Sequence, residues 1–95
     1  MTIFHFEAAK AMIADLLADE DSWWDRELDT LTGYSRADYR ELEARLGDGF
    51  RTKADRHMLH NAAATLLHYP GISATHCKSA LGEGWREAVR GFLDR

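Results

Sequence analysis

Four of the five histidines lie in the second half of this chain, and three of them recur along one run, RTKADRHMLHNAAATLLHYPG. At about 100° per residue on a helix, Lys53, His57, His60, Ala64 and His68 fall on one side, opposite Met58, Ala62, Ala63, Leu66, Leu67 and Tyr69. His57 and His60 are three positions apart, so their rings can share one metal ion. His68 lies about 16 Å further along the axis and cannot join them. No second ligand pair accompanies them, so the expectation is no metal and no cofactor, with a His-based metal site or small enzyme as the third-ranked reading. The adjacent His76 and Cys77 do not form a catalytic dyad, because neighbours on a helix diverge by about 100°. Cys77 shares a side with Ala74 and Leu81, which predicts a buried thiol with a packing role. No glycine-rich phosphate loop, serine elbow or paired-carboxylate signature is present, and the chain reads as a non-enzyme. Arg51, Lys53, Arg56, His57 and His60 make a mildly cationic patch at the start of this helix, a secondary candidate surface for acidic partners or phosphates.

The second informative stretch is DEDSWWDRELD, residues 19–29, which sets two adjacent tryptophans among six acids and one arginine. On a helix that begins near Ser22, Trp24, Leu28 and Leu31 make a narrow apolar stripe. Trp23 lies about 100° away, beside Glu27, at the stripe's edge. Trp24 is therefore assigned to the core. Trp23 either shields the junction with the first helix or serves as an aromatic anchor for a partner. In the second case Asp19, Glu20, Asp21, Trp23 and Asp25 form the partner-binding surface.

Charge supports an interaction role. Residues 1–50 hold twelve acids against five lysines or arginines, whereas residues 51–95 hold four acids against seven bases, for a net −4 overall. Such polarity suits a partner protein with a basic surface, or self-association as a homodimer, more than it dictates fold.

The run ELDTLTGYSRADYRELEARLG has helix-turn-helix features, with a glycine turn at Gly33, a cap at Ser35, and Leu28, Tyr34, Tyr39 and Leu42 near the spacing of a shared core. Its phrase TGYSRADYRELE resembles the opening of recognition helices in small excisionase-like DNA-binding proteins, over about twenty residues. That resemblance implies a DNA-binding transcriptional regulator, the second-ranked function. Two departures weigh against it: Asp29 stands where a small residue is wanted, and Arg36, Arg40 and Arg45 are balanced by Asp38, Glu41 and Glu43.

The elements that position these residues follow from caps and periodicity. Phe6, Ala9, Met12, Ile13, Leu16 and Leu17 gather on one side of a helix over about 4–18, with Glu7, Ala11, Ala14 and Asp15 opposite. A short strand over Ile3, Phe4 and Phe6 is the alternative there. Three hydroxyl residues carry an acid three positions later: Ser22 with Asp25, Ser35 with Asp38, and Thr52 with Asp55. Each is a capping-box signal, predicting helices over 22–31, 35–46 and 52–69. Gly33, the Gly47-Asp48-Gly49 turn and Pro70-Gly71 end them. A shorter helix starts at Ser73 and closes at Gly82, and a last one spans about 84–93 with Trp85, Ala88, Val89 and Phe92 inward. Short loops predict that sequential helices pack as neighbours.

The predicted fold is all-α, a compact single domain (1–95) of five to six short helices. With 45% hydrophobic and 29% charged residues, the composition is that of a globular chain. One cysteine, no leader of basic then apolar residues and no apolar run near 20 residues predict a cytoplasmic protein without a membrane span. The first-ranked function is a small protein-binding regulator or inhibitor. By class analogy it is of the kind that phages and mobile elements use against bacterial enzymes, including nucleic-acid-processing ones.

Overall fold

The computed structural model describes residues 3–46, 52–69 and 72–93. Among them are six helices and no strand: α1 (Ile3–Leu17), α2 (Ser22–Thr32), α3 (Arg36–Arg45), α4 (Lys53–His68), α5 (Thr75–Leu81) and α6 (Trp85–Arg90), with a 3-10 turn, Gly82–Gly84, leading into α6. The radius of gyration, 12.0 Å, is that of a well-packed chain of this length. The predicted all-α bundle is the observed fold, and the alternative strand at Ile3 is helix. The stops expected at Gly47-Asp48-Gly49 and Pro70-Gly71 lie outside the described residues.

Packing order departs from the expectation of sequential neighbours. α1 is the central rod, set against α3, α4, α5 and α6 and most extensively against α5. Its composition permits this. Ala8, Ala9 and Ala11 are buried together with Met12, Ile13 and Leu16, so small side chains let other helices approach on more than one side. Ala11 and Asp15, assigned from periodicity to the solvent side, are both buried. Periodicity misplaces them because a helix covered on several sides has no single apolar stripe.

Three capping signals have three outcomes. At Ser35 the box is complete: its Oγ accepts from the Asp38 amide at 3.2 Å, and the Asp38 carboxylate accepts from the Ser35 amide at 3.0 Å. At Thr52 half of it forms. The Thr52 hydroxyl accepts from the Asp55 amide at 3.0 Å, but the Asp55 carboxylate turns to Arg45, accepting from Nη1 at 2.9 and 3.1 Å. That pair joins the end of α3 to the start of α4. At Ser22 the box is absent. The cap is Asp21, without a side-chain bond, and Ser22 is already helical. Asp25, which would have closed the box, is held instead by Arg36 at 2.7 Å.

These outcomes separate in a stability measurement. Ser35→Ala is expected to cost about 1 kcal/mol in denaturant unfolding, whereas Ser22→Ala changes stability by less than about 0.5 kcal/mol. Equal losses would contradict the assignment of the caps.

The α2–α3 connection needs its glycine. Gly33 sits at φ 79°, ψ 7°, and its amide donates to the Asp29 carbonyl at 2.7 Å, a left-handed cap that a Cβ would strain. Beyond it, Tyr39 is fully buried, its hydroxyl donating to the Met58 carbonyl at 2.8 Å, and burial pushes the phenol's pKa upward. α6 places Trp85, Ala88 and Val89 inward as expected, but it ends at Arg90, short of the predicted 93, and Phe92 is buried in the turn that follows.

Candidate functional site

The two tryptophans part company at the start of α2. Trp24 is 3% exposed, its ring 5.9 Å from that of Tyr69 at an interplanar angle of 25°. The indole N–H donates to the Leu16 carbonyl at 2.7 Å, which gives a carbonyl in the last turn of α1 a partner. Trp23 meets Trp24 edge-on at 6.0 Å and keeps 45% of its surface exposed. It neither lies buried over α1 nor projects free. It forms one wall of a cleft of about 130 Å³, completed by Asp15, Ala18, Asp19, Trp24, Ile72 and Ser73.

Two clamps hold this cleft in shape. The first is Arg36, at the first position of α3. Its Nε binds Asp25 at 2.7 Å, its Nη1 donates to the Leu17 carbonyl at 3.0 Å, and its Nη2 donates to the Asp19 carbonyl. One guanidinium thus fastens the α1–α2 connection to α3, using the planar fork that arginine alone offers. The second is Asp15. Its buried carboxylate accepts from the amides of His76 at 2.8 Å and Cys77 at 3.0 Å, and contacts His76 Nδ1 at 2.9 Å. α5 has no capping side chain of its own, since Ala74 stands at its N-cap. Asp15 on α1 supplies the cap from 61 residues away. α5 therefore begins at Thr75, not at Ser73, whose Oγ is engaged with the Thr75 hydroxyl at 2.6 Å.

The five residues expected to form the acidic surface are brought together only in part. Asp19 and Trp23 line the cleft. Asp21 is exposed at the head of α2, and its amide donates to Asp19 Oδ1 at 3.0 Å. Asp25 is neutralised by Arg36, and Glu20 lies 3.7 Å from Arg40 in an exposed pair. The rim thus carries less net charge than the sequence suggests, because two of its acids face arginines of α3. Sequence reasoning missed Asp15, placing it on the solvent side of α1 and starting α5 at Ser73; an acid inside the run MIADLL was the signal that pointed to it.

Leu31 also departs from expectation. α2 buries Trp24, Leu28 and Thr32, a clean i, i+4, i+8 line that turns Leu31 outward to 39% exposure. Thr32 tolerates burial because its hydroxyl donates to the Leu28 carbonyl at 2.6 Å. Trp23 and Leu31 are the exposed large hydrophobic residues among those described, and both belong to α2.

The secondary cationic patch is looser. Lys53, Arg56 and His57 are exposed and His60 is half-buried, while Arg51 lies outside the described residues. His57 is occupied by the Tyr34 hydroxyl, 2.6 Å from its Nδ1. Arg56 also has an interaction partner. Among the described residues no three His, Cys, Asp or Glu side chains converge as metal ligands. Cys77 is fully buried, and burial pushes its thiol pKa well above the usual value, as suits the packing role expected of it.

The helix-turn-helix arginines are engaged within the molecule: Arg36 with Asp25, Arg40 with Glu20, and Arg45 with Asp55. No described helix is long and apolar enough to cross a membrane. Comparison with protein-family models, with curated proteins and with solved structures returns no match for this chain.

Proposed function

We propose that this protein is a small binding module that regulates or inhibits another protein, and that the cleft beside Trp23 is where it takes hold. The observation that carries this reading is a half-exposed indole forming one wall of a preshaped cleft that is also lined by the exposed acid Asp19. An indole face attracts a guanidinium or ammonium by about 0.5–2 kcal/mol. A carboxylate beside it adds a charge-assisted hydrogen bond. The cleft is therefore suited to an arginine or lysine side chain from a basic partner surface. Leu31, two turns along α2, offers a second apolar contact about 12 Å away at helical rise. Because Arg36 and Asp15 fix the walls, little ordering entropy is lost on binding. A basic partner fits an enzyme that handles nucleic acid, with the acidic cleft competing for its phosphate-binding residues.

Affinity capture from cells of the native source tests this, with wild type, Trp23→Ala and Trp23→Phe compared side by side. Trp23→Ala is expected to keep its helical circular dichroism and to weaken partner capture at least tenfold, with Trp23→Phe intermediate. Undiminished capture by a folded Trp23→Ala protein would remove the cleft from the proposal.

A further inference from the structure

A second cleft shares Ile72 and Ser73 with the first, and its chemistry is the reverse. It encloses about 290 Å³ where the end of α4, the start of α5 and the start of α6 converge. Its walls carry His68, Lys78 and Arg86 as cations or hydrogen-bond donors, Ser73 as a hydroxyl, and Leu67, Tyr69 and Trp85 as apolar surface, with no carboxylate among the described residues. Among the described residues neither Lys78 nor Arg86 is in an ion pair, in contrast to the arginines of α3. Arg86 is nevertheless held in place, its guanidinium 4.7 Å from the centre of the Trp85 ring. Stacking of this kind orders the guanidinium while leaving its N–H edge available to an anion.

We infer that this cleft binds the phosphoryl group of a small phosphate monoester, with the ester's organic part against Leu67 and Tyr69. Two cations and a histidine from three separate elements surround one space, and a phosphate dianion with three acceptor oxygens can satisfy all of them at once. The apolar wall beside them has no role toward a bare ion, which favours an ester over inorganic phosphate. The volume sits at the lower end of the range for small-molecule sites, so the organic group is no larger than about one ring. Apart from Ile72 and Ser73 this site has no lining residue in common with the Trp23 cleft, and its proposed ligand does not depend on the protein-binding proposal.

The test is a two-dimensional amide NMR titration of the full chain at constant ionic strength with phenyl phosphate, inorganic phosphate and benzoate. Phenyl phosphate is expected to give saturable shifts at His68, Lys78, Arg86 and the Trp85 indole, and to bind more tightly than the other two. In a Lys78→Ala/Arg86→Ala variant with an unchanged dispersed spectrum its affinity falls tenfold or more. Should that double variant lose its dispersion, Lys78→Ala alone, at an exposed position, serves, with a smaller loss of affinity expected. Shifts that do not saturate, or affinity unchanged in the folded variant, would overturn the site. Benzoate binding equally well would overturn the phosphoryl assignment, and inorganic phosphate binding equally well would overturn the role of the apolar wall.

Discussion

Trp24→Ala will lose about 3–5 kcal/mol of folding free energy, while Trp23→Ala, one residue away, will lose less than about 1 kcal/mol. The asymmetry follows from where each ring lies. Removing the Trp24 side chain empties a site that is 3% exposed, abandons the stack on Tyr69 and strips the Leu16 carbonyl of its indole donor. The first loss carries a cavity cost and the last leaves a carbonyl at a helix end without its partner. A chain of 95 residues has on the order of 5–14 kcal/mol of total stability, so this single change brings the fold close to its limit. Trp23 surrenders a ring that water already reaches. Urea or guanidinium unfolding of the two variants checks the pair, and similar losses would mean that both indoles serve the core.

The second large effect is expected at Asp15. Asp15→Ala should cost about 2–4 kcal/mol, because the amides of His76 and Cys77 and the His76 ring lose their shared acceptor. Asp15→Asn should recover part of that loss, since a carboxamide oxygen still accepts one amide but carries no charge. The loss should be local first. Hydrogen exchange at the Cys77 amide will accelerate more than at core amides of α4, since α5 has no other side-chain cap. Uniform acceleration across α1, α4 and α5 would show that Asp15 supports the whole bundle and not this junction.

Asp15 also marks where sequence reading stops. A capping box is legible when both halves lie within one turn, as for Ser35 and Asp38. The same three-residue signal fails at Ser22 because Asp25 is claimed by Arg36, eleven residues away. It is half true at Thr52 because Asp55 prefers Arg45. These are competitions between a local and a distant partner, and only three-dimensional arrangement decides them. Helix existence survives such competition because it rests on many residues. A given polar side chain does not, because it has one or two bonds to give.

The same distinction holds for the site. That Trp24 faces inward and Trp23 stands at the margin follows from a 100° offset beside an apolar stripe, and the structure bears it out. That Trp23 walls a cleft with Ile72 and Ser73 was not legible, because those residues arrive from the α4–α5 connection nearly fifty positions later. Nor was the central position of α1. An alanine-rich helix with an acid on its supposed outer side reads as surface, whereas here Ala11 and Asp15 lie beneath other helices. The arginines of α3 read as balanced by Asp38, Glu41 and Glu43 of their own helix, whereas their carboxylate partners in the fold are Asp25, Glu20 and Asp55 from other elements.

Whether the indole-walled acidic cleft is the surface that grips a partner is tested most directly by hydrogen exchange on the complex with whatever partner is captured. Bound partner should slow amide exchange at residues 18–25 and 72–74, where the two sides of the cleft meet, and leave the exposed face of α3 unchanged. Protection confined to α3 or to residues 53–60, with 18–25 exchanging as in the free protein, would contradict the account.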